Sequence, residues 1–114
     1  MRTGGAAAVA HTLSVNRYIC DGTVPFPRFA EAARAAGMTA VGVTRAALRE
    51  MGAHGLAACL RDSGLAVSSL NSAGYFTARD AVAAERENFA LVDAAAELGA
   101  AVLCVISGGI GGEP

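Results

Sequence analysis

The stretch that decides the fold is residues 36–43, AGMTAVGV, in which a helix end is followed by a glycine and a short apolar run. The same order returns at residues 63–70, SGLAVSSL, and at residues 98–105, LGAAVLCV. A short apolar run that follows a helical pattern and a turn residue is typical of a buried parallel strand. Glycine suits the position just past a helix because it adopts the left-handed backbone conformation without steric cost. The repeat therefore predicts a helix cap followed by a strand at three glycines, Gly37, Gly64 and Gly99.

Helical patterns precede each of these glycines. Ahead of Gly37, apolar residues recur on one face with a period of about 3.6, and Pro27 suits the first turn. Ahead of Gly99 the predicted apolar stripe consists of Phe89, Val92, Ala95, Ala96 and Leu98. The second helix is interrupted by glycine, and we predict a break near Gly52.

Adding a first strand at Thr12–Ile19 and a fourth at Ala101–Ile106 gives strands that alternate with helices, which implies a parallel sheet covered by helices. An open doubly wound sheet and a closed eight-stranded barrel both fit this order. The glycines are 27 and 35 positions apart (37 to 64, 64 to 99). Eight such units amount to roughly 250 residues, the usual length of a TIM barrel. We therefore predict the N-terminal half of a TIM barrel, with about four strands and three helices.

The domain boundaries follow from this interpretation. Residues 1–10 are predicted to be a flexible leader, and residues 11–114 a partial barrel that is cut after its fourth strand. In such a half barrel the first and fourth strands are unpaired edges, which favours self-association. We also expect the inner face of the sheet to carry the aliphatic residues of the strands, namely Val15, Val41, Val43, Val67, Leu70, Leu103 and Val105.

Composition excludes several classes of partner. The net charge of -1 provides no basic stripe for nucleic-acid phosphates. No stretch approaches the roughly 20 strongly apolar residues that span a bilayer. The three cysteines are odd in number and far apart, which fits neither a disulfide framework nor a zinc site and favours reduced thiols in the cytoplasm.

The ligand of a parallel α/β fold lies at the carboxyl ends of its strands. The residues that directly follow the apolar runs are amides, hydroxyls, an arginine and aromatics, which hydrogen-bond polyols or pack on sugar C–H surfaces. We predict six substrate-binding residues: Asn16, Arg45, Asn71, Phe76, Ser107 and Gly108. Arg45 is equally well explained as a solvent-exposed loop residue. Asn16 could instead cap a turn, but we favour the substrate pocket because this residue follows an apolar strand. No acid or histidine falls at these strand ends, so the sequence predicts no catalytic or metal-binding residue here.

Several short motifs resemble one known family. LSVN at 13–16 is similar to its first strand, AAGMTAVGV at 35–43 with Thr44 and Arg45 to its second, and VSSL at 67–70 with GYFT at 74–77 to its third. AAELGA at 95–100 and SGG at 107–109 resemble its third helix and fourth strand end. The family is the sugar phosphate isomerase/epimerase group of xylose isomerase-like TIM barrels.

This resemblance implies isomerisation or epimerisation of a sugar or cyclic polyol next to a carbonyl, by proton transfer helped by a divalent metal. The metal and catalytic ligands of that family lie on strands five to eight, beyond this chain. Two alternatives stay open: a non-catalytic small-molecule-binding module that is complete as it stands, and a related barrel that repairs abasic DNA.

Overall fold

A computed structural model describes residues 12–108 of the chain. The leader predicted for residues 1–10 and the glycine-rich tail from residue 109 onward lie outside the described residues. The elements follow one another as β1 Ser14–Asn16, a 3₁₀ turn at Arg17–Ile19, α1 Phe26–Ala35, β2 Ala40–Thr44, α2 Arg45–Ser63, β3 Ala66–Gly74, α3 Ala81–Leu98 and β4 Leu103–Ile106.

The four strands form one parallel sheet in the order β1-β2-β3-β4. This confirms the predicted mixed α/β class with four parallel strands and three helices. Crossovers between parallel strands are right-handed, so an order that never reverses places successive helices on the same face of the sheet. Accordingly α2 packs against both α1 and α3. Within residues 12–108 the strand order has no reversal of the kind that defines a doubly wound sheet.

The predicted glycine caps are confirmed. Gly37, Gly64 and Gly99 all have positive φ, and each helix ends with the paired backbone hydrogen bonds of a Schellman motif. At the end of α2, for example, the Gly64 N–H donates to the Arg61 carbonyl (3.1 Å) and the Leu65 N–H to the Leu60 carbonyl (2.9 Å). The predicted break in α2 is confirmed too, because Gly52 has φ 73° and ψ 158° inside the helix.

The prediction that the aliphatic residues face inward is wrong for six of the seven, which belong to the helix-covered core or pack against it, whereas Val105 is 59% exposed. Val41, Val43 and Leu70 are fully buried and belong to the core that the sheet forms with the helices. Side chains alternate between the two faces of a strand, so the opposite face receives the residues in between, including Asn16 and Gly42. Within residues 12–108 the helices cover one face only, and burial of apolar area favours the large side chains on that face. We call the uncovered side the open face.

The predicted stripe of α3 is wrong at three positions. Phe89 is 65% exposed, Val92 is 53% exposed and Ala96 is exposed as well, whereas Leu91 and Ala94 are buried. The buried residues face the core shared with α2, while Phe89 and Val92 lie on a flank that no element within residues 12–108 covers. Pattern alone could not separate these two neighbouring apolar stripes.

Both edge strands are shorter than predicted. The Asn16 side chain accepts a hydrogen bond from the Tyr18 N–H (2.9 Å), which ends β1 and begins the 3₁₀ turn in place of a strand that continues to Ile19. At the other edge, β4 begins at Leu103 rather than Ala101. Of the helices described, none is long and apolar enough to cross a membrane.

Candidate functional site

A polar cluster lies on the open face, around the end of β1 and the middle of β2 and β3. The Asn16 Nδ2 atom donates to the Asn71 Oδ1 atom (3.1 Å), and the Ser69 hydroxyl donates to the same oxygen (3.2 Å). Gly42 pairs with Asn16 on one side and with Ser69 on the other. A Cβ atom at Gly42 would collide with the Asn16 amide and lie 3.1 Å from the Ser69 hydroxyl. The glycine therefore makes room for two polar side chains to meet across β2.

A bulge in β3 places two serine hydroxyls, instead of one, on the open face. The register between β2 and β3 shifts after Val41, so that Val41 pairs with Val67 but Gly42 pairs with Ser69. Ser68 then bonds to Ser14 across the open face (2.6 Å) while Ser69 bonds to Asn71 (3.2 Å). A bulge of this kind re-aims a side chain, and here two consecutive serines point to the same face.

A second group of predicted residues meets at the ends of β3 and β4. The Phe76 N–H donates to the Ser107 carbonyl (2.9 Å), and the Phe76 side chain is 68% exposed. Gly108 has φ 113°, and a Cβ atom there would collide with the Thr77 hydroxyl and lie 3.2 Å from the Thr77 nitrogen. The structure thus brings Phe76, Ser107 and Gly108 together at the rim.

Arg45 lies between α3 and the turn that follows β3. Its guanidinium forms an ion pair with Glu87 of α3 and stacks on the Tyr75 ring, with 5.2 Å between Cζ and the ring centroid. These residues line a cleft of about 360 Å³ together with Asn88 and the start of α3. The prediction of Arg45 as a substrate-binding residue did not include this ion pair, which neutralises the arginine locally.

The turn that follows β3 is contacted by Asn88 of α3 and Ser72 of β3, neither of which is among the six predicted site residues. Asn88 accepts a hydrogen bond from the Gly74 N–H (2.8 Å) and donates to the Gly74 carbonyl (2.9 Å). The Tyr75 hydroxyl lies 3.0 Å from the buried Ser72 hydroxyl, and the peptide bond between Asn71 and Ser72 is cis. The sequence did not single out Glu87 or Asn88, because nothing in a linear pattern shows which turn a helix will face.

Arg17 follows β1 but serves the loop rather than the open face. It is 6% exposed and donates to the carbonyl oxygens of Cys20 (3.1 Å) and Val24 (2.7 Å). Within this loop, hydrogen bonds from the Thr23 N–H and hydroxyl hold the pKa of Asp21 below its ordinary value. Glu50 in turn accepts a hydrogen bond from the Phe26 N–H (2.9 Å) at the start of α1.

The divalent metal implied by the family resemblance finds no fitting ligand set in the part of the chain that the structure describes. Between residues 12 and 108 no three side chains of His, Cys, Asp or Glu come together as a metal ion would require. The donors on the open face are amides and hydroxyls, which bind polyols as hydrogen-bond partners.

Comparison with known proteins finds a similar solved structure. No protein-family model matches the chain, and a search of curated proteins also found no match. The chain is similar to protein SMc04130 from Sinorhizobium meliloti 1021, whose crystal structure superposes with a TM-score of 0.75 and 31% sequence identity. The match covers 85% of this chain and 36% of that chain. This chain thus spans little more than a third of the relative, whose name states no activity.

Proposed function

We propose that this chain is the N-terminal half of a TIM-barrel sugar isomerase or epimerase, and that its open face binds the hydroxyl groups of the substrate. The observation that carries the proposal is the hydrogen bond between Asn16 and Asn71 over Gly42. It joins amides from two strands at the carboxyl edge of a parallel sheet, where ligands of such folds bind.

The fold supports the barrel part of the proposal. A sheet that runs β1-β2-β3-β4 without reversal repeats the unit from which a closed barrel is built, with helices outside and the open face toward the axis. The similar S. meliloti chain is well over twice as long as this one. A chain of that length has room for the eight units that roughly 250 residues provide.

The donor set supports the substrate class. Asn71 keeps its Nδ2 hydrogens for a ligand while its oxygen accepts from Asn16 and Ser69. Exposed Phe76 provides an apolar ring beside the strand ends. Sugars present both hydroxyl groups and C–H faces, so amides with an adjacent aromatic match their two kinds of surface.

In this proposal the residues described bind and orient the substrate and leave proton transfer to groups outside 12–108. Glu87 is engaged by Arg45, and Glu50 by the Phe26 N–H. The divalent metal and the acids that the family resemblance implies would then come from strands that follow β4. The proposed location is the cytoplasm, as expected for reduced thiols.

The decisive experiment follows the reading frame past Pro114. Further strand–helix units with acids at their strand ends are expected, and the protein so defined should exchange the proton next to the carbonyl of a ketose or aldose with deuterium from solvent. A continuation without such units, or a full protein that exchanges no such proton across a panel of sugars and sugar phosphates, would overturn the proposal.

The 114-residue chain alone should have no isomerase activity, because a proton shuttle needs a free carboxylate at the substrate. The measurement is turnover of the same sugar panel by stringently purified chain. Activity that survives purification and disappears in an Asn16→Ala variant would show that the catalytic groups lie within this chain.

A non-catalytic binding module is the second candidate. It is favoured because residues of this chain alone bury the hydrophobic core. Phe26, Leu56 and Leu70 are fully buried by residues of this chain alone. The reading-frame experiment also separates this candidate from the first, since a module requires no acids downstream. A barrel acting on abasic DNA is disfavoured by the net charge of -1, and a DNA-binding titration over salt concentration tests it.

A further inference from the structure

The turn after β3 combines an unusual backbone conformation with an unusual number of restraints. Tyr75 has φ 56°, in the left-handed region that a tyrosine rarely adopts. Gly74 before it has φ 107°, and a Cβ atom there would collide with the carbonyl oxygen of Ile106 and lie 2.9 Å from the Ile106 nitrogen. A non-glycine residue in this region persists only where its surroundings over-determine it.

Two consecutive residues of α3 hold this turn from different sides. Asn88 binds both ends of the Gly74 residue, accepting from its N–H (2.8 Å) and donating to its carbonyl (2.9 Å). Glu87 holds Arg45, whose guanidinium lies over the Tyr75 ring at 5.2 Å. Residues that are adjacent on a helix point about 100° apart, so one can hold the backbone while the other acts through a side chain.

The other side of the turn is fixed by β4. The Tyr75 N–H donates to the Ile106 carbonyl (2.6 Å), and the Phe76 N–H to the Ser107 carbonyl (2.9 Å). The Phe76 ring nevertheless remains 68% exposed. An exposed aromatic ring on a turn this firmly held loses little conformational entropy when a ligand covers it.

We infer that Glu87 and Asn88 are positioning residues that hold the Tyr75–Phe76 turn in a shape suited to stacking of Phe76 on the C–H face of a sugar. The inference rests on the proposed function for the identity of the ligand. The restraint of the turn by Glu87 and Asn88 is independent of the ligand's identity, because it follows from the hydrogen bonds and the ion pair alone. It assigns a binding role to two helix residues that do not themselves touch the ligand.

The test compares Asn88→Leu and Glu87→Gln with the control Glu85→Gln, an exposed position on the same helix. Amide hydrogen exchange is measured by NMR residue by residue. Asn88→Leu should speed exchange at residues 74–76 by tenfold or more, Glu87→Gln by a smaller factor, and the control should change nothing. Exchange in β2 should stay within twofold of the wild-type rate in all three variants.

A uniform rise across the sheet would mean that Asn88 only stabilises the fold, and unchanged exchange at residues 74–76 would also overturn the inference. Asn88→Asp, which keeps the acceptor for the Gly74 N–H, should fall between wild type and Asn88→Leu.

Saturation-transfer NMR with D-fructose as the probe then reports on stacking. Contact with the Phe76 ring should appear in the wild type and weaken severalfold in Asn88→Leu. Wild-type chain that holds its turn but shows no contact with D-fructose or with any sugar of the panel would overturn the polyol site and the stacking role. Contact that is equal in both proteins would overturn the positioning role and leave the polyol site standing.

Discussion

The two faces of the sheet differ in chemistry although the same strands form both. The covered face carries Val41, Val43 and Leu70, all fully buried under the helices, whereas the open face carries Asn16, Asn71 and the serines that bond to each other across the strands. Residues that alternate along one strand thus separate two tasks, since the aliphatic residues supply the hydrophobic stability and the polar ones remain available to a ligand.

Neighbouring residues of β3 give the sharpest test of this contrast. Leu70→Ala should cost about 2–5 kcal/mol of unfolding free energy, because it removes a fully buried side chain. Asn71→Ala should cost only about 1 kcal/mol, the net value of a typical hydrogen bond at a partly wet site. Chemical denaturation of both variants measures the two costs. Equal costs would show that the open face is buried in solution.

The edges of the sheet are a separate source of contacts through self-association. The edge strands β1 and β4 are each paired on one side only within the described sheet, and Leu13, Val105 and Ile106 are exposed near them. Unpaired edges recruit partner strands. Stability should therefore rise with protein concentration, by about 2.7 kcal/mol at a partner concentration 100 times the dissociation constant.

Sedimentation and denaturant titration across a wide concentration range measure this dependence. Val105→Lys, which places a charge on the β4 edge, should weaken the association, while Val82→Lys on α3 is a control on an equally exposed valine away from the strand edge. A sharply folded monomer whose stability is independent of concentration would contradict edge pairing and favour the binding module that is complete as it stands.

The sequence predicted the parts of this contrast that are local. The helix ends at Gly37, Gly64 and Gly99 could be predicted from sequence, because a left-handed helix cap favours glycine whatever surrounds it. The assignment of the two faces failed because alternation along a strand does not tell which face the helices cover. The contacts of Glu87 and Asn88 with the turn after β3 depend on how α3 packs, and no spacing in the chain encodes that.

Gly42→Ala should separate binding from stability on the open face. The added methyl group would displace the Asn16 amide, a flexible side-chain end, so we expect a cost below about 1 kcal/mol. The hydrogen bond between Asn16 and Asn71 should nevertheless be lost. The contact of D-fructose with the protein should be lost at the same time. NMR shifts of the two side-chain amides measure the pairing. Intact pairing in the variant would mean that Gly42 is not what keeps this space open.

The smallest expected effect concerns Cys59, which packs against the covered face. Burial, and next the negative charge of Asp62, raise the pKa of its thiol above the ordinary value. The native state then keeps a proton that the unfolded chain, with a thiol pKa near 8.5, has released. Because the unfolded state binds fewer protons in this range, the free energy of unfolding should be unaffected below about pH 8.5 and decline slightly as pH rises through the window up to the raised pKa.

Denaturant titrations from pH 7 to pH 10 on wild type and Cys59→Ala measure the decline, which should be shallower in the variant once its constant loss of packing is subtracted. Identical pH slopes in the two proteins would place the thiol in water, and the covered face would then be less tightly closed at α2 than its buried leucines indicate.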